Sequence, residues 1–312
     1  MSRLTVLRRL IAARHRRGFS SGAQRLAFYL QLNPVLNASL AVAFGAMKNK
    51  QSHAANLARH AVRAGFGFGA LRNMTPEARN SFAAVVLGMN PISDAEPSIQ
   101  RIVDEIRRVG YCRMGYVSPE TVEAAKEHFA ARPYFNAQVP GQSDGKPVYQ
   151  DWRAQMSGPA ERYISFAAKD SLDFVMRPSV VDIKEMKSIA DAYCGFDTVL
   201  YGVNTMGTYP GEGMGYAMRT HRDYDDFSFL AFFIAWTKTT EDNGATLFLP
   251  GSHHSSAASG PLVSLDCEPG DVVALDGFGL HAGNPRVKVP RLTTWLRYGN
   301  PANLVTAQEG DL

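Results

Sequence analysis

The chain has 312 residues, 45% of them hydrophobic, with 33 Lys or Arg against 29 Asp or Glu and three cysteines. That is enough apolar material for one large domain, or for a core with an appendage. The three widely spaced cysteines (112, 194, 267) exclude a disulfide framework and point to a reducing compartment.

The net charge of +4 conceals a split. Residues 1–76 carry twelve basic residues and no acidic one, whereas residues 77–312 carry 21 basic against 29 acidic. At the front, Arg3, Arg8, Arg9, Arg14, Arg16 and Arg17 accompany Leu4, Leu7, Leu10 and Ile11 at helical spacing. Such a basic amphipathic helix suits an anionic membrane surface. Leu26 to Met47 is apolar but broken by Gln31, Asn33, Pro34 and Asn37, a poor membrane span; Ala54 to Met74 reads as another basic helix. Two other readings stand beside this one. The Arg-rich, acid-free start also resembles a mitochondrial presequence with a processing site at Arg17-Gly-Phe-Ser20. Nucleic-acid binding is not expected, because no recognised module is present and the body is acidic. Residues 1–94 are therefore expected to form a basic helical extension to a domain at 95–312. The expected location is the cytoplasm, peripheral on the inner membrane surface, with the mitochondrial matrix as the alternative.

Further along, Thr75 to Val109 reads as two helices broken at Asn90–Pro97, and Gly110 to Met114 as a strand. Ser118 is placed to cap a helix over Pro119–Phe129, with Pro at its first position. Trp152 and Arg153 lie in a polar stretch that suits a substrate lid, and Ile183–Tyr193 has helical periodicity. Val199–Met206 reads as a strand on which Tyr201 and Asn204 have opposite parity, with core packing the favoured role for both. Gly207–Gly215 reads as a loop at a site entrance. The rest is short strands punctuated by turns: Phe227–Trp236, the Glu241–Gly244 turn, Ala245–Leu249, the Cys267–Asp271 turn, Val272–Leu275 and Arg291–Tyr298. This pattern predicts an antiparallel sandwich or barrel.

Within that frame, His221 and Asp223 stand two residues apart, so on an extended strand both side chains face one side. His281, from a distant segment flanked by glycines, completes a 2-His-1-carboxylate set. That set leaves the opposite face of an ion open, as in non-haem Fe(II) oxygenases. His253-His254 is the rival to His281 but follows Pro-Gly-Ser in a turn. Asp225 and Asp226 read as solvated loop residues beyond the ligands.

The ordered series His221-x-Asp223, Asn243-Gly244, Pro250-Gly-Ser-His253, Pro269-Gly-Asp271, His281 and Arg291 resembles the phytanoyl-CoA dioxygenase family. The specific likeness spans about residues 195 to 300, and a looser one reaches back to about residue 95. The resemblance implies a mixed α+β fold: a double-stranded β-helix (jelly-roll, cupin-like) core with flanking helices. It implies Fe(II) held by His221, Asp223 and His281, with 2-oxoglutarate and O2 as cosubstrates and ascorbate as a stimulant. Retention of Asp223 argues against a halogenase of the family type. The distal carboxylate of 2-oxoglutarate needs a fixed cation, and the planar fork of Arg291 matches it. Thr293 shares that face and offers a hydroxyl, and Arg297 is the reserve cation. The expected activity is hydroxylation of a small-molecule, lipid or glycan-linked substrate with release of succinate and CO2. The alternative is a non-turning metal-binding module docked by its basic arm to a membrane or partner.

Overall fold

The computed structural model describes residues 75–80, 92, 95–136, 150–151, 163–210, 218–223, 228–255 and 258–299. The basic helices expected before residue 75, Trp152, Arg153, Asp225, Asp226 and most of the Gly207–Gly215 loop lie outside the described residues.

Helix α1 (Pro97–Val109) opens with Pro at its first turn, where a missing N–H costs nothing. It buries Ile99, Val103 and Ile106, one stripe at helical spacing, and ends at Gly110 with φ 97°. A side chain at Gly110 is excluded twice over: by its left-handed backbone, and by the Phe248 ring 2.6 Å from where a Cβ would sit. Strand β1 (Tyr111–Tyr116) leads into α2 (Pro119–Ala130), whose cap is Ser118 accepting from Thr121 N–H. The chain continues through β2 (Pro133–Asn136), β3 (Gln150–Asp151), β4 (Tyr163–Phe166) and α3 (Ala168–Val175). Asp182 then caps α4 (Ile183–Cys194) by accepting from Lys184 and Glu185 N–H, and Gly195 closes it.

The remaining strands are β5 (Val199–Thr208), β6 (Leu230–Ala235), β7 (Thr246–Phe248), β8 (Val263–Leu265), β9 (Asp271–Leu275), β10 (His281–Gly283) and β11 (Arg291–Gly299). They form two antiparallel sheets: an eight-stranded one in the order β1-β9-β6-β11-β5-β4-β2-β3, and a three-stranded one in the order β10-β7-β8. A single bridge between His221 and His281 adds a fourth partner to the smaller sheet. From β5 onward the chain passes back and forth between the sheets, which is the double-stranded β-helix.

Alternation sorts β11 into two faces. Leu292, Leu296 and Tyr298 join the helix-side core with Phe232, Ile234, Trp236 and residues of α1, α2 and α4. Trp295 faces the other way, with Ala231, Phe233, Phe248, Leu265, Cys267, Val273 and Leu275, inside the barrel. Arg291, Thr293 and Arg297 share this inner face.

Candidate metal centre and cosubstrate slot

His221 and His281 meet because two sheet-crossing segments pair at one point. Each donates its backbone N–H to the other's carbonyl at 2.9 Å, and the imidazole centroids lie 4.4 Å apart. The structure corrects the expectation of a strand through His221: it sits in an isolated bridge, and residues 222 and 223 are irregular. Asp223 is instead held by its backbone, whose N–H donates to Gly277 O at 2.8 Å. Gly277 permits this approach, since a Cβ there would lie 3.1 Å from Asp223 Cβ and 2.5 Å from the Phe229 ring.

Both imidazoles are oriented by their own backbone. His221 Nδ1–H donates to Arg219 O at 2.7 Å and His281 Nδ1–H to Gly279 O at 2.9 Å. That leaves both Nε2 atoms as lone-pair donors toward Asp223, at 3.5 Å from Oδ1 for His221 and 3.7 Å from Oδ2 for His281. The three ligand atoms lie within 4.8 Å of one another, the one such metal-competent cluster among the described residues. Metal–ligand bonds of about 2 Å would draw them slightly together. Burial alone would raise the Asp223 carboxyl, but both histidines and Arg297 outweigh it and hold it well below the usual range. Burial works against a charged His221 too, yet Asp223 and the Arg219 carbonyl keep its pKa above ordinary; burial keeps that of His281 below. A permanently ionised carboxylate and oriented imidazole lone pairs are the donor set a divalent transition ion takes.

Arg222, between His221 and Asp223, points away from the three-residue cluster. Its guanidinium donates to the carbonyls of Ser252 (2.6 Å), Ser255 (3.0 Å) and Phe278, pinning the ligand segment to two loops. Sequence reasoning passed over it, although a residue flanked by two same-side ligands must face the other way. The loop before His281 is held from behind by buried Asp276, which accepts from Arg79 (2.7 Å), Tyr193 O–H (2.6 Å) and Phe278 N–H (2.9 Å). Arg79 also donates to His253 O at 2.8 Å. His253 and His254 turn their Nε2 atoms to Arg107 O, at 3.0 and 2.6 Å, and do not join the cluster.

At the start of β11, Arg291 is 8% exposed, and no acidic residue pairs with it among the described residues. Its Nη1 donates to Gly244 O at 2.6 Å, while its Nε has no acceptor among the described residues. Gly244, beside the Arg291 stem, has φ 70°, a left-handed backbone that favours glycine. Burial pushes the guanidinium down to about 10. A buried cation without a carboxylate is costly, and the cost is removed when an anion arrives. Thr293 is buried on the same face. Arg297, the reserve cation of the sequence reading, lies at the opposite end, with Nη2 3.9 Å from Asp223 Oδ2. The inner face of β11 thus runs from a lone cation to the metal cluster. Opposite it on β5, Asn204 pairs with Trp295 and contacts Ser165 Oγ at 3.5 Å inside the barrel. Tyr201 packs in the helix-side core, so only it has the packing role expected for both.

A family model described as phytanoyl-CoA dioxygenase (PhyH) matches residues 106–287, more than half of the chain. The chain is 39% identical over 62 residues to the dioxygenase peniF of Penicillium patulum, a match covering 19% of this chain and 20% of that protein. It therefore spans about a fifth of that curated relative's length. Among solved structures, AviO1 from Streptomyces viridochromogenes Tue57 aligns with TM-score 0.45 and 21% identity, over 67% of this chain and 98% of that one. The non-haem α-ketoglutarate-dependent epimerase SnoN aligns with TM-score 0.47 and 18% identity, over 65% and 83%. EctD from S. alaskensis, with bound Fe, aligns with TM-score 0.47 and 18% identity, over 69% and 82%.

Proposed function

The chain belongs to the phytanoyl-CoA dioxygenase family, whose members are Fe(II)- and 2-oxoglutarate-dependent oxygenases, and we propose that it hydroxylates a small-molecule, lipid or glycan-linked substrate. One observation carries this reading: His221, Asp223 and His281 converge at one end of the inner face of β11, and uncompensated Arg291 lies buried at the other. A metal at one end and a fixed cation at the other is what a dicarboxylate cosubstrate requires.

Ferrous iron, when bound, supplies oxygen activation coupled to decarboxylation of 2-oxoglutarate to succinate and CO2. The chain does the rest. His221, Asp223 and His281 would hold the ion through two imidazole nitrogens and one carboxylate oxygen, a set that would leave room for cosubstrate and O2. Arg219 and Gly279 carbonyls keep the imidazoles from rotating. Arg291 receives the distal carboxylate, with Thr293 beside it. Phe233, Phe248, Leu265 and Trp295 wall the interior against water, which preserves the strength of those charge contacts. His221 and Asp223, partly exposed where His281 is not, mark the side of substrate entry.

The acid-free residues 1–76 favour an anionic membrane surface at the cytoplasmic face as the place of work. Flotation with anionic liposomes should depend on them and weaken with salt. The activity itself is tested by loading Fe(II) anaerobically, adding 2-oxoglutarate and O2, and measuring succinate. Succinate formation that is lost in Asp223→Ala is expected; iron binding with no turnover, coupled or uncoupled, would overturn the reading.

A further inference from the structure

Two tryptophans among the described residues are buried, and their indole N–H groups fare differently. Trp236, on the helix side of the main sheet, donates to Thr294 Oγ1 at 2.7 Å. Trp295 is 8% exposed on the inner face, stacked on Phe233 with ring centroids 5.1 Å apart, and its Nε1 has no acceptor among the described residues. A buried donor without an acceptor is a cost that few native groups carry, and each instance calls for a partner. Beside it inside the barrel lie Ala231, Phe233, Val273, Leu275 and Phe248, whose side chains carry no acceptor. Asn204, its partner on β5, has its amide oxygen against Ser165 Oγ.

The position of Trp295 supplies the missing acceptor. Along the inner face of β11, Arg291 and Thr293 precede it and Arg297, beside Asp223, follows. Arg291 Nε, like Trp295 Nε1, is a buried N–H without an acceptor among the described residues. Arg291 Nε at the far end of the strand face and Trp295 Nε1, between it and the metal-competent cluster, are donors that match a carboxylate-bearing ligand lying along the strand. We propose that Trp295 is a cosubstrate-binding residue whose indole N–H donates to a carboxylate oxygen of bound 2-oxoglutarate. This rests on the cosubstrate reading above and adds a donor that the family likeness did not supply.

The chain holds three tryptophans, Trp152, Trp236 and Trp295, so the 15N-labelled protein shows three indole signals. Trp295→Phe, which keeps the stack on Phe233, assigns the signal of interest; triple-resonance assignment of the parent replaces it if the variant does not fold. Titrating 2-oxoglutarate into Zn(II)-loaded protein should move the Trp295 signal downfield, with the midpoint seen by calorimetry, and leave Trp236 in place. Loss of a hydrogen bond to a charged group should weaken binding to Trp295→Phe by about 10- to 100-fold, with Zn(II) affinity unchanged. If 2-oxoglutarate binds in an Arg291-dependent way while the Trp295 signal stays still, or the Phe variant binds as tightly as the parent, the Trp295 assignment alone falls. If 2-oxoglutarate gives no binding heat with either Zn(II) or Fe(II) loaded, the cosubstrate reading falls and takes this one with it.

Discussion

Replacing Arg291 by Met should stabilise the metal-free protein and at the same time destroy its affinity for 2-oxoglutarate. Burial lowers the guanidinium from 12.5 to about 10. At about 1.4 kcal/mol per unit, folding carries a desolvation cost on the order of 3 kcal/mol. At pH 7 the group is protonated both folded and unfolded, so this cost is constant through the neutral range and eases only as pH rises past about 10. Met keeps much of the aliphatic stem and gives up the bond to Gly244 O, worth about 1 kcal/mol. The net gain is about 2 kcal/mol, in line with other buried charges replaced by apolar groups. For a chain of this size that corresponds to a rise of roughly 4–8 °C in Tm. Binding goes the other way. Two charge-assisted hydrogen bonds at about 1.5–3 kcal/mol each are lost, which lowers affinity by roughly two to four powers of ten. Scanning calorimetry of the metal-free proteins and titration of 2-oxoglutarate into Zn(II)-loaded ones measure both effects. An Arg291→Met variant that melts several degrees below the parent, yet binds 2-oxoglutarate within roughly threefold of it, would refute the reasoning.

Other substitutions probe the support of the metal. Gly279→Ala puts a Cβ into the Phe248 ring and displaces the carbonyl that orients His281; it should cost about 1–3 kcal/mol of stability and about 10- to 100-fold in metal affinity. An unchanged Zn(II) dissociation constant would show that His281 orients itself. Arg79→Met leaves Asp276 as an unpaired buried carboxylate and should destabilise by about 3–5 kcal/mol, whereas Arg79→Met with Asp276→Leu recovers much of the loss; equal melting of single variant and parent would disprove the strut. Because His221 holds its proton above the ordinary value of 6.5, a metal ion must displace that proton. Zn(II) affinity should therefore climb with pH through the imidazole range and level off beyond it, with proton release measured in two buffers of different ionisation enthalpy. A flat profile across that range would contradict the assigned shift.

Much of the architecture was legible because it is written locally. Pro119 after Ser118 and the strand-forming run Arg291–Tyr298 each act within one turn or one strand. The shared inner face of Arg291, Thr293 and Arg297 also follows from pleating alone. By contrast, β2, β3, β4, β8 and α3 escaped notice, being short and paired with distant partners rather than marked by their own periodicity.

What the sequence alone determined is the cast: which histidines and which aspartate could share an ion, and which arginine could answer a carboxylate. Tertiary structure decided their arrangement. A single bridge, rather than a strand, sets His221 against His281; Asp223 hangs from Gly277 O; Arg297 ends beside the ligands and Arg291 at the far end. Arg79, nearly two hundred residues from Asp276, braces the loop behind them. These facts depend on which backbones approach closely enough to touch, and no local pattern of residues encodes the partner of a contact that long-range packing creates.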